Sequence, residues 1–454
     1  MPTTPTSAPL IRGLGLLQAT ALNVANMVGI GPFITIPLFI ATMGGPQALV
    51  GWVIAAVLVL CDGLVWSELG AALPGSGGTY HFLKETFGRY RWGRLLPFLF
   101  IWQFLVSGTL ELASGYLGAT AYLKYVFPAF DAKLTAAGTA WVWNVIAADV
   151  CVLVTLVLCR RIQVVGWLGV VLCAGTLATM LTVIVAGLTH FDAALLQMPP
   201  DAFRLNWSFA LGLGAAMRIA VYDYLGYYNI CHLGDEVRDP ARTIPRAVLL
   251  SVVVVAACYL TMNLSIIAVL PWQQAMQSQN IAAEFMERLY GRNAAVVLSW
   301  LVVWTALASL FSMTLGYSRI PYAAARAGDF FHVFDRVHPR EHYPWLSLLA
   351  VGGLTAVFCF LPLDVVISAA VTVRILVQFI GQIVGLHLLR TQRPDVPMPF
   401  KMWLYPVPSL VALAGWLFLW GTSGWTLLAI GSGVIASGVL VYLIWRAGRN
   451  TAPQ

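Results

Sequence analysis

The sequence is a succession of apolar runs of 18 or more residues, separated by short segments that hold most of the charge. A helix needs about 20 apolar residues to cross the hydrocarbon core of a bilayer. Only 10% of the 454 residues are charged, whereas a soluble globular domain has about 25%. A chain of this composition cannot cover its surface with polar groups, which excludes a soluble fold. The long runs also exclude a membrane β-barrel, whose strands alternate in polarity.

The runs predict an all-α polytopic membrane protein with twelve transmembrane helices. Their predicted bounds are 13–40, 45–72, 94–126, 138–159, 163–189, 206–232, 243–270, 293–320, 344–361, 364–389, 402–421 and 424–446. The polar stretches between them are single loops, so no soluble domain is expected. Residues 1–12 and 447–454 are then short terminal tails.

Lysine and arginine are distributed unevenly between the two sets of loops. Eighteen of the 26 basic residues lie in the tails and in the loops on their side of the membrane, and five lie in the opposite loops. The remaining three, Arg218, Arg319 and Arg374, fall within spans. Because short cytoplasmic loops retain Lys and Arg, both termini are predicted to be cytoplasmic, in a cytoplasmic membrane protein. The net charge of +7 therefore reflects topology and does not indicate a nucleic-acid partner.

Motifs of several other protein classes are absent from the sequence. It contains no GxxxxGK[ST] motif for ATP and no GxSxG or HExxH motif for hydrolysis. The seven cysteines form no CxxC pair and are interpreted as small hydrophobic residues. The loop histidines lack the spacing of metal ligands. The sequence therefore predicts neither an enzyme nor a bound metal or cofactor, and no continuous polar stripe suggests a channel.

Two of the predicted spans are interrupted. Gly29, Gly31 and Pro32 occur within four residues of the first span, and Asp223 and Gly226 lie within a tyrosine-rich part of the sixth. Glycine and proline open a helix locally, and an open backbone inside a membrane must face protein or a watery cavity. Either break alone is also typical of a packing kink. Paired breaks at matching positions of two halves favour an inverted-repeat transporter with a midplane site.

The breaks predict the polarity of such a site. Amides at the start of the second half of the first span are expected to lack acceptors: Ile30, Gly31 and Phe33. They suit a carboxylate, because a helix begins with the positive end of its dipole. The first half-helices are expected to end with released carbonyls around Met27, Tyr222 and Leu225. These carbonyls suit an ammonium. Together these groups would recognise the backbone of an α-amino acid.

Ionisable residues within spans are costly and are treated as functional candidates. Glu111 shares a helical face with Gly108, Gly115 and Gly118. It is interpreted as a counterion for a cationic substrate or as a proton carrier, and the alternative is an ion pair with Arg218 or Arg374.

Asp223 lies at the second break. It is expected to accept the substrate ammonium or a proton, and the alternative is a cap on the loose amides of the break. Asp62 and Asp149 are interpreted as interhelical hydrogen bonders. The charges of the loop after the sixth span are predicted to be solvated or to form an inner gate: Asp235, Glu236, Arg238 and Arg246.

Three motifs, at the end of the second span, at the second break with its exit loop and at the end of the eighth span, resemble the amino acid–polyamine–organocation superfamily of transporters. They are residues 68–80 (ELGAALPGSGGTY), residues 222–229 (YDYLGYYN) with the loop at 235–246, and residues 318–328 (SRIPYAAARAG). The resemblance covers essentially the whole chain. It implies a leucine-transporter-like fold, in which two inverted repeats of five helices, 13–189 and 206–390, are followed by two extra helices at 402–446.

The same resemblance implies roles for individual residues. Met27, Ile30 and Gly31 would bind the substrate backbone, Tyr222 would be an aromatic lid, and Asn26 would lie near the substrate. The predicted substrate site is Asn26, Met27, Gly29, Ile30, Gly31, Glu111, Tyr222, Asp223, Leu225 and Gly226. Coupling or gating is assigned to Glu111, Tyr222 and Asp223.

The sequence also departs from the family pattern at three places. Pro32 removes one amide donor, and Leu225 in place of a frequent glycine narrows the pocket. Gly169 and Val170 stand where many relatives carry a coupling lysine.

The predicted function is secondary active transport of amino acids or related amines by alternating access, coupled to an ion or to exchange. The expected partners are the substrate and the lipid bilayer, and both proton and sodium coupling stay open. The alternatives are a polyamine or small-amine permease and a transporter-like nutrient sensor.

Overall fold

The structure is a computed structural model that describes residues 10–90, 92–160, 162–278, 280–361, 372 and 374–450. Within these ranges the regular structure is helical, and extended backbone pairs only at two isolated bridges, Leu14 with Val237 and Ser76 with Leu233. The predicted all-α class is confirmed. Residues 364–371 and 373 of the predicted tenth span lie outside the described residues.

The helices follow one another with short connections. They are α1 Leu16–Met27, α2 Gly31–Met43, α3 Leu49–Ala72, α4 Thr79–Phe87, α5 Leu95–Val126, α6 Pro128–Ala136, α7 Val142–Val157, α8 Ile162–Thr189, α9 Trp207–Tyr224, α10 Asn229–His232, α11 Pro240–Ile267, α12 Trp272–Ala275, α13 Ile281–Tyr290, α14 Arg292–Arg326, α15 Trp345–Phe358, a π-helix at Ile375–Ile380, α16 Gly381–Gln392, α17 Val407–Gly421 and α18 Trp425–Asn450.

Several helices have the length and composition of membrane spans. Among the described residues, six qualify singly, and α1 and α2 qualify together as one span bent by 45°. Three shorter apolar helices, α7, α15 and α17, accompany them. These helices support an integral membrane protein. The count of twelve spans and the inverted repeat stay predictions.

The two longest helices, α5 and α14, pack against each other. The predicted glycine face of α5 allows this approach. A Cβ on Gly115 would lie 2.7 Å from a methyl carbon of Leu310 on α14, and one on Gly118 would lie 3.1 Å from Ile30. Close packing on small residues is typical of membrane helices, whose association has little hydrophobic driving force. This face brings Glu111 between α14 and the break after α1.

One end of the bundle, called the Glu236 end below, is closed by contacts between distant segments. The amides of Gly13 and Leu14 donate to the Glu236 carbonyl at 2.9 and 3.0 Å. The Glu236 carboxylate pairs with Arg319 of α14 through two hydrogen bonds of 2.7 and 2.9 Å. Both side chains are buried. The charged residues predicted for the inner gate therefore differ in their surroundings. Glu236 forms a buried ion pair, whereas Arg246 is exposed.

The two remaining aspartates of the spans differ from each other. Asp62 is an interhelical acceptor, as predicted, for the Tyr227 hydroxyl and for the Trp416 indole at 3.0 Å. The same prediction for Asp149 is wrong, because its side chain lies on the exposed face of α7 without a hydrogen-bond partner among the described residues. The buried face of α7 carries Ala147 and Cys151, and a residue midway between two such positions points away from that face.

Candidate functional site

The first break separates α1 from α2. α1 ends at Met27 and α2 begins at Gly31, with Val28, Gly29 and Ile30 outside the helices. Pro32 occupies the first turn of α2, where a missing amide hydrogen leaves no helical bond unmade. A Cβ on Gly29 would lie 2.8 Å from the Ser309 hydroxyl. Glycine therefore lets the open backbone lie directly against α14.

The second break separates α9 from α10. α9 ends at Tyr224, and α10 begins at Asn229. Gly226 between them has a φ of +113°, a conformation that only glycine adopts at low cost. A Cβ on Gly226 would lie 2.3 Å from Oδ1 of Asn26. The two breaks thus lie against each other, and glycine is required at their closest approach.

Asn23 holds the two broken spans together. Its side-chain amide donates to the Tyr227 carbonyl at 2.6 Å, and its side-chain carbonyl accepts from the Ile230 amide at 2.9 Å. The Tyr227 carbonyl lies in the second break and the Ile230 amide in the first turn of α10 that follows it, and Asn23 is completely buried. A single side chain of α1 therefore satisfies peptide groups that the interruption of the other span leaves open.

Helix α14 supports both breaks from one side. Ser309 donates to the Asn26 carbonyl at 2.8 Å, and Ser312 donates to the Leu22 carbonyl. Asn229 of α10 donates to the Ser312 hydroxyl at 2.9 Å. The two serines lie three residues apart on one helix face, within an apolar span. Neither serine was predicted as a site residue from the sequence, although this spacing was a signal for both.

A small cavity lies where the breaks meet α5 and α14. Nine of the ten predicted site residues line it, and Gly226 lies behind Asn26. The lining residues are Asn26, Met27, Gly29, Ile30, Gly31, Glu111, Gly115, Tyr222, Asp223, Leu225, Ala306, Ser309, Leu310 and Met313. The structure thus brings residues from four distant parts of the chain to one space.

Two predicted amides remain available at the first break. The amides of Ile30 and Gly31 donate to no acceptor within the described residues. The prediction is wrong for Phe33, whose amide donates to the Ile30 carbonyl at 3.0 Å. This bond tightens the first turn of α2, a common way for a helix end to satisfy its own groups. The positive end of α2 faces the cavity with two donors.

The predicted carbonyls are less available than the amides. The Met27 carbonyl accepts from the Tyr259 hydroxyl at 2.7 Å and from the Gly29 amide at 3.0 Å. The Tyr222 carbonyl accepts from the Leu225 amide at 3.3 Å. The expectation of free carbonyls at these two residues is therefore wrong, because α11 and the turn itself supply donors. The Leu225 carbonyl receives no hydrogen bond from the residues that the structure describes.

Asp223 lies against the beginning of α2. Its Oδ2 accepts from the Thr35 hydroxyl at 2.5 Å, whereas its buried Oδ1 has no hydrogen-bond partner among the residues that the structure describes. A Cβ on Gly31 would lie only 2.1 Å from Oδ1. No ion pair joins Asp223 to a basic side chain in the described ranges. The carboxyl group therefore occupies the helix end without a full set of partners.

Glu111 forms the structural ion pair that the sequence analysis kept as an alternative. Its Oε2 lies 2.6 Å from Nη1 of Arg374 and accepts from the Tyr317 hydroxyl at 2.7 Å. Arg218 instead donates to the Leu419 carbonyl at 3.4 Å and to Ser423 at 3.3 Å. No group of three metal-ligating side chains occurs in the part of the chain that the structure describes.

The arrangement defines a class of protein. Apolar helices of membrane length surround a polar cavity at two apposed helix breaks, and this is the architecture of a membrane transporter for small solutes. The sequence model described as amino acid permease matches residues 14–445. The chain belongs to the amino acid permease family.

Individual relatives agree with this assignment. The chain is 33% identical over 350 residues to an uncharacterized transporter of Mycobacterium tuberculosis, covering 76% of this chain and 73% of that one. It is 27% identical to the human cystine/glutamate transporter, over 88% of this chain and 78% of that one. It is 26% identical to the mouse large neutral amino acids transporter small subunit 2, over 96% and 81% of the two chains. The family and these relatives are transporters rather than enzymes, and they support amino acid transport.

Proposed function

We propose that the protein transports amino acids across the cytoplasmic membrane by alternating access and couples this transport to protons. The observation that carries the proposal is the cavity between the two breaks, where the amides of Ile30 and Gly31 have no acceptor among the described residues. Two free donors at the positive end of α2 match a substrate carboxylate. The Leu225 carbonyl, on the opposite break, offers an acceptor to the substrate ammonium.

Asp223 links the substrate to a proton. Its carboxyl group lies against Gly31, at the helix end that would receive the substrate carboxylate. Two ionised carboxylates cannot share this place without strong repulsion. A buried carboxylate without a cation is also costly. Protonated Asp223 therefore accompanies the bound substrate, and release of the substrate on the other side of the membrane is accompanied by loss of the proton.

Alternating access requires that each end of the bundle open in turn. The Glu236 end faces the cytoplasm in this proposal, in line with the excess of Lys and Arg in the loops on that side. Its closure depends on the Glu236–Arg319 pair and on the pairing of residues 13–14 with 236–238. The two repeats, 13–189 and 206–390, would move relative to each other around the site.

The test is uptake by proteoliposomes that contain the purified protein. The twenty proteinogenic amino acids and a set of polyamines, each radiolabelled, are offered with an inward proton gradient, with an inward sodium gradient, and without either. We expect at least one amino acid to accumulate, and to accumulate under the proton gradient. Uptake of polyamines alone would favour the amine permease. Binding of amino acids without uptake or exchange under any gradient would favour the nutrient sensor.

A further inference from the structure

Glu111 is the acidic group of the cavity wall contributed by α5, and its charge is already neutralised by the protein. The Arg374 guanidinium lies 2.6 Å from the Glu111 carboxylate, and the Tyr317 hydroxyl donates to the same oxygen. Arg374 is completely buried. It does not line the cavity, whereas Glu111 does. The cavity therefore meets one side of an ion pair whose other side is inside the protein.

Several contacts hold the Arg374 guanidinium in this position. Its Nε donates to the Ser107 hydroxyl at 3.2 Å. The guanidinium carbon lies 5.2 Å from the centre of the Phe104 ring and 5.8 Å from that of Tyr317. Aromatic faces attract such a cation. Arg374 is thus fixed beside Glu111 and is not free to reach into the cavity.

The pair makes either sign of substrate side chain unfavourable. A cationic side chain would have to compete with Arg374 for Glu111, and the displaced guanidinium would be left buried without its partner, which is strongly destabilising. An anionic side chain would meet the Glu111 carboxylate directly. The neighbouring wall of α14 adds no charge, since it consists of Ala306, Ser309, Leu310 and Met313.

We infer that the Glu111–Arg374 pair sets charge selectivity, and that the site accepts amino acids whose side chains carry no charge. This inference rests on the proposed function and narrows its substrate class. It replaces the role of counterion for a cationic substrate that the sequence suggested for Glu111. Arg374 is a specificity-determining residue that acts through Glu111.

The test compares inhibition constants in proteoliposomes, against uptake of whichever neutral amino acid the protein transports. In the wild type, we expect L-lysine and L-glutamate to inhibit at least about tenfold more weakly than neutral amino acids. Arg374→Gln leaves the negative charge of Glu111 without its cationic partner. In this variant, inhibition by L-lysine should improve at least about tenfold relative to neutral amino acids. The double variant Glu111→Gln/Arg374→Gln should return to the neutral preference.

Arg390→Gln is the matched control. It breaks another ion pair of an arginine with a buried glutamate, in which Arg390 lies 2.6 Å from Glu68. This pair does not border the cavity, so the variant should leave the ratios of inhibition constants unchanged.

If Arg374→Gln does not fold, the inference is tested on the wild type and the double variant, both of which should prefer neutral amino acids. A wild type that prefers lysine or glutamate contradicts the inference but leaves amino acid transport intact. An Arg374→Gln protein with wild-type ratios also contradicts it. A wild type that transports no amino acid contradicts the proposed function instead.

Discussion

Replacement of Asp223 by asparagine is expected to abolish proton-driven accumulation of substrate. Asparagine has nearly the same shape and can still contact Thr35, but it cannot release a proton. One pH unit corresponds to 1.36 kcal/mol, so a gradient of two units drives accumulation of up to about a hundredfold with one proton per substrate. Wild-type proteoliposomes should approach this limit, while Asp223→Asn should only equilibrate the substrate.

Asp62→Asn is the control for this experiment. Asp62 is also a buried aspartate of the bundle, but its oxygens accept from Tyr227 and Trp416 and do not border the cavity. This variant should keep its response to the gradient. Exchange of labelled for unlabelled substrate at equal pH should persist in Asp223→Asn, which separates lost coupling from lost binding. Undiminished accumulation by Asp223→Asn would mean that another group or another ion carries the coupling.

Loss of the Arg319 side-chain charge is expected to produce the largest change in stability. Arg319→Gln leaves the Glu236 carboxylate buried at the Glu236 end without its two hydrogen bonds. Breaking a buried pair from one side costs about 3–5 kcal/mol. The free energy of unfolding of the purified protein, measured by titration with a denaturing detergent, should fall by this amount.

The comparison is Arg242→Gln. Arg242 faces Asp239 at 3.9 Å, and both side chains are exposed to solvent. Such surface pairs contribute less than about 1 kcal/mol, so this variant should match the wild type. A loss below about 1 kcal/mol for Arg319→Gln as well would show that the buried pair does not hold this end of the bundle closed.

The sequence predicted the features that depend on local backbone chemistry. Gly29, Gly31, Pro32 and Gly226 locate both breaks, because glycine and proline act on the backbone wherever they occur in the chain. The apolar runs predicted an all-α membrane protein, because the length of an apolar run is likewise a local property of the sequence. These local rules also brought most of the candidate site to one cavity, since its residues cluster at the breaks.

Features that depend on distant partners were missed or left open. Nothing near Met27 shows that Tyr259 of α11 occupies its carbonyl, and nothing near Glu111 selects Arg374 over Arg218. The exposed position of Asp149 depends on which face of α7 meets its neighbours. Such pairings are set by the packing of helices that are hundreds of residues apart in the chain, and a single sequence does not fix that packing.

The central claim is that the free amides at the beginning of α2 bind the carboxylate of an amino acid. Its most direct test is competition with three ligands: the transported amino acid, its methyl ester and the amine that remains after decarboxylation. The ester and the amine both lack the carboxylate. Each therefore loses two hydrogen bonds from backbone amides to a charged acceptor, at about 1.5–3 kcal/mol per bond. We predict inhibition constants at least about a hundredfold higher for the ester and the amine than for the amino acid. Constants within about threefold of one another would contradict the account.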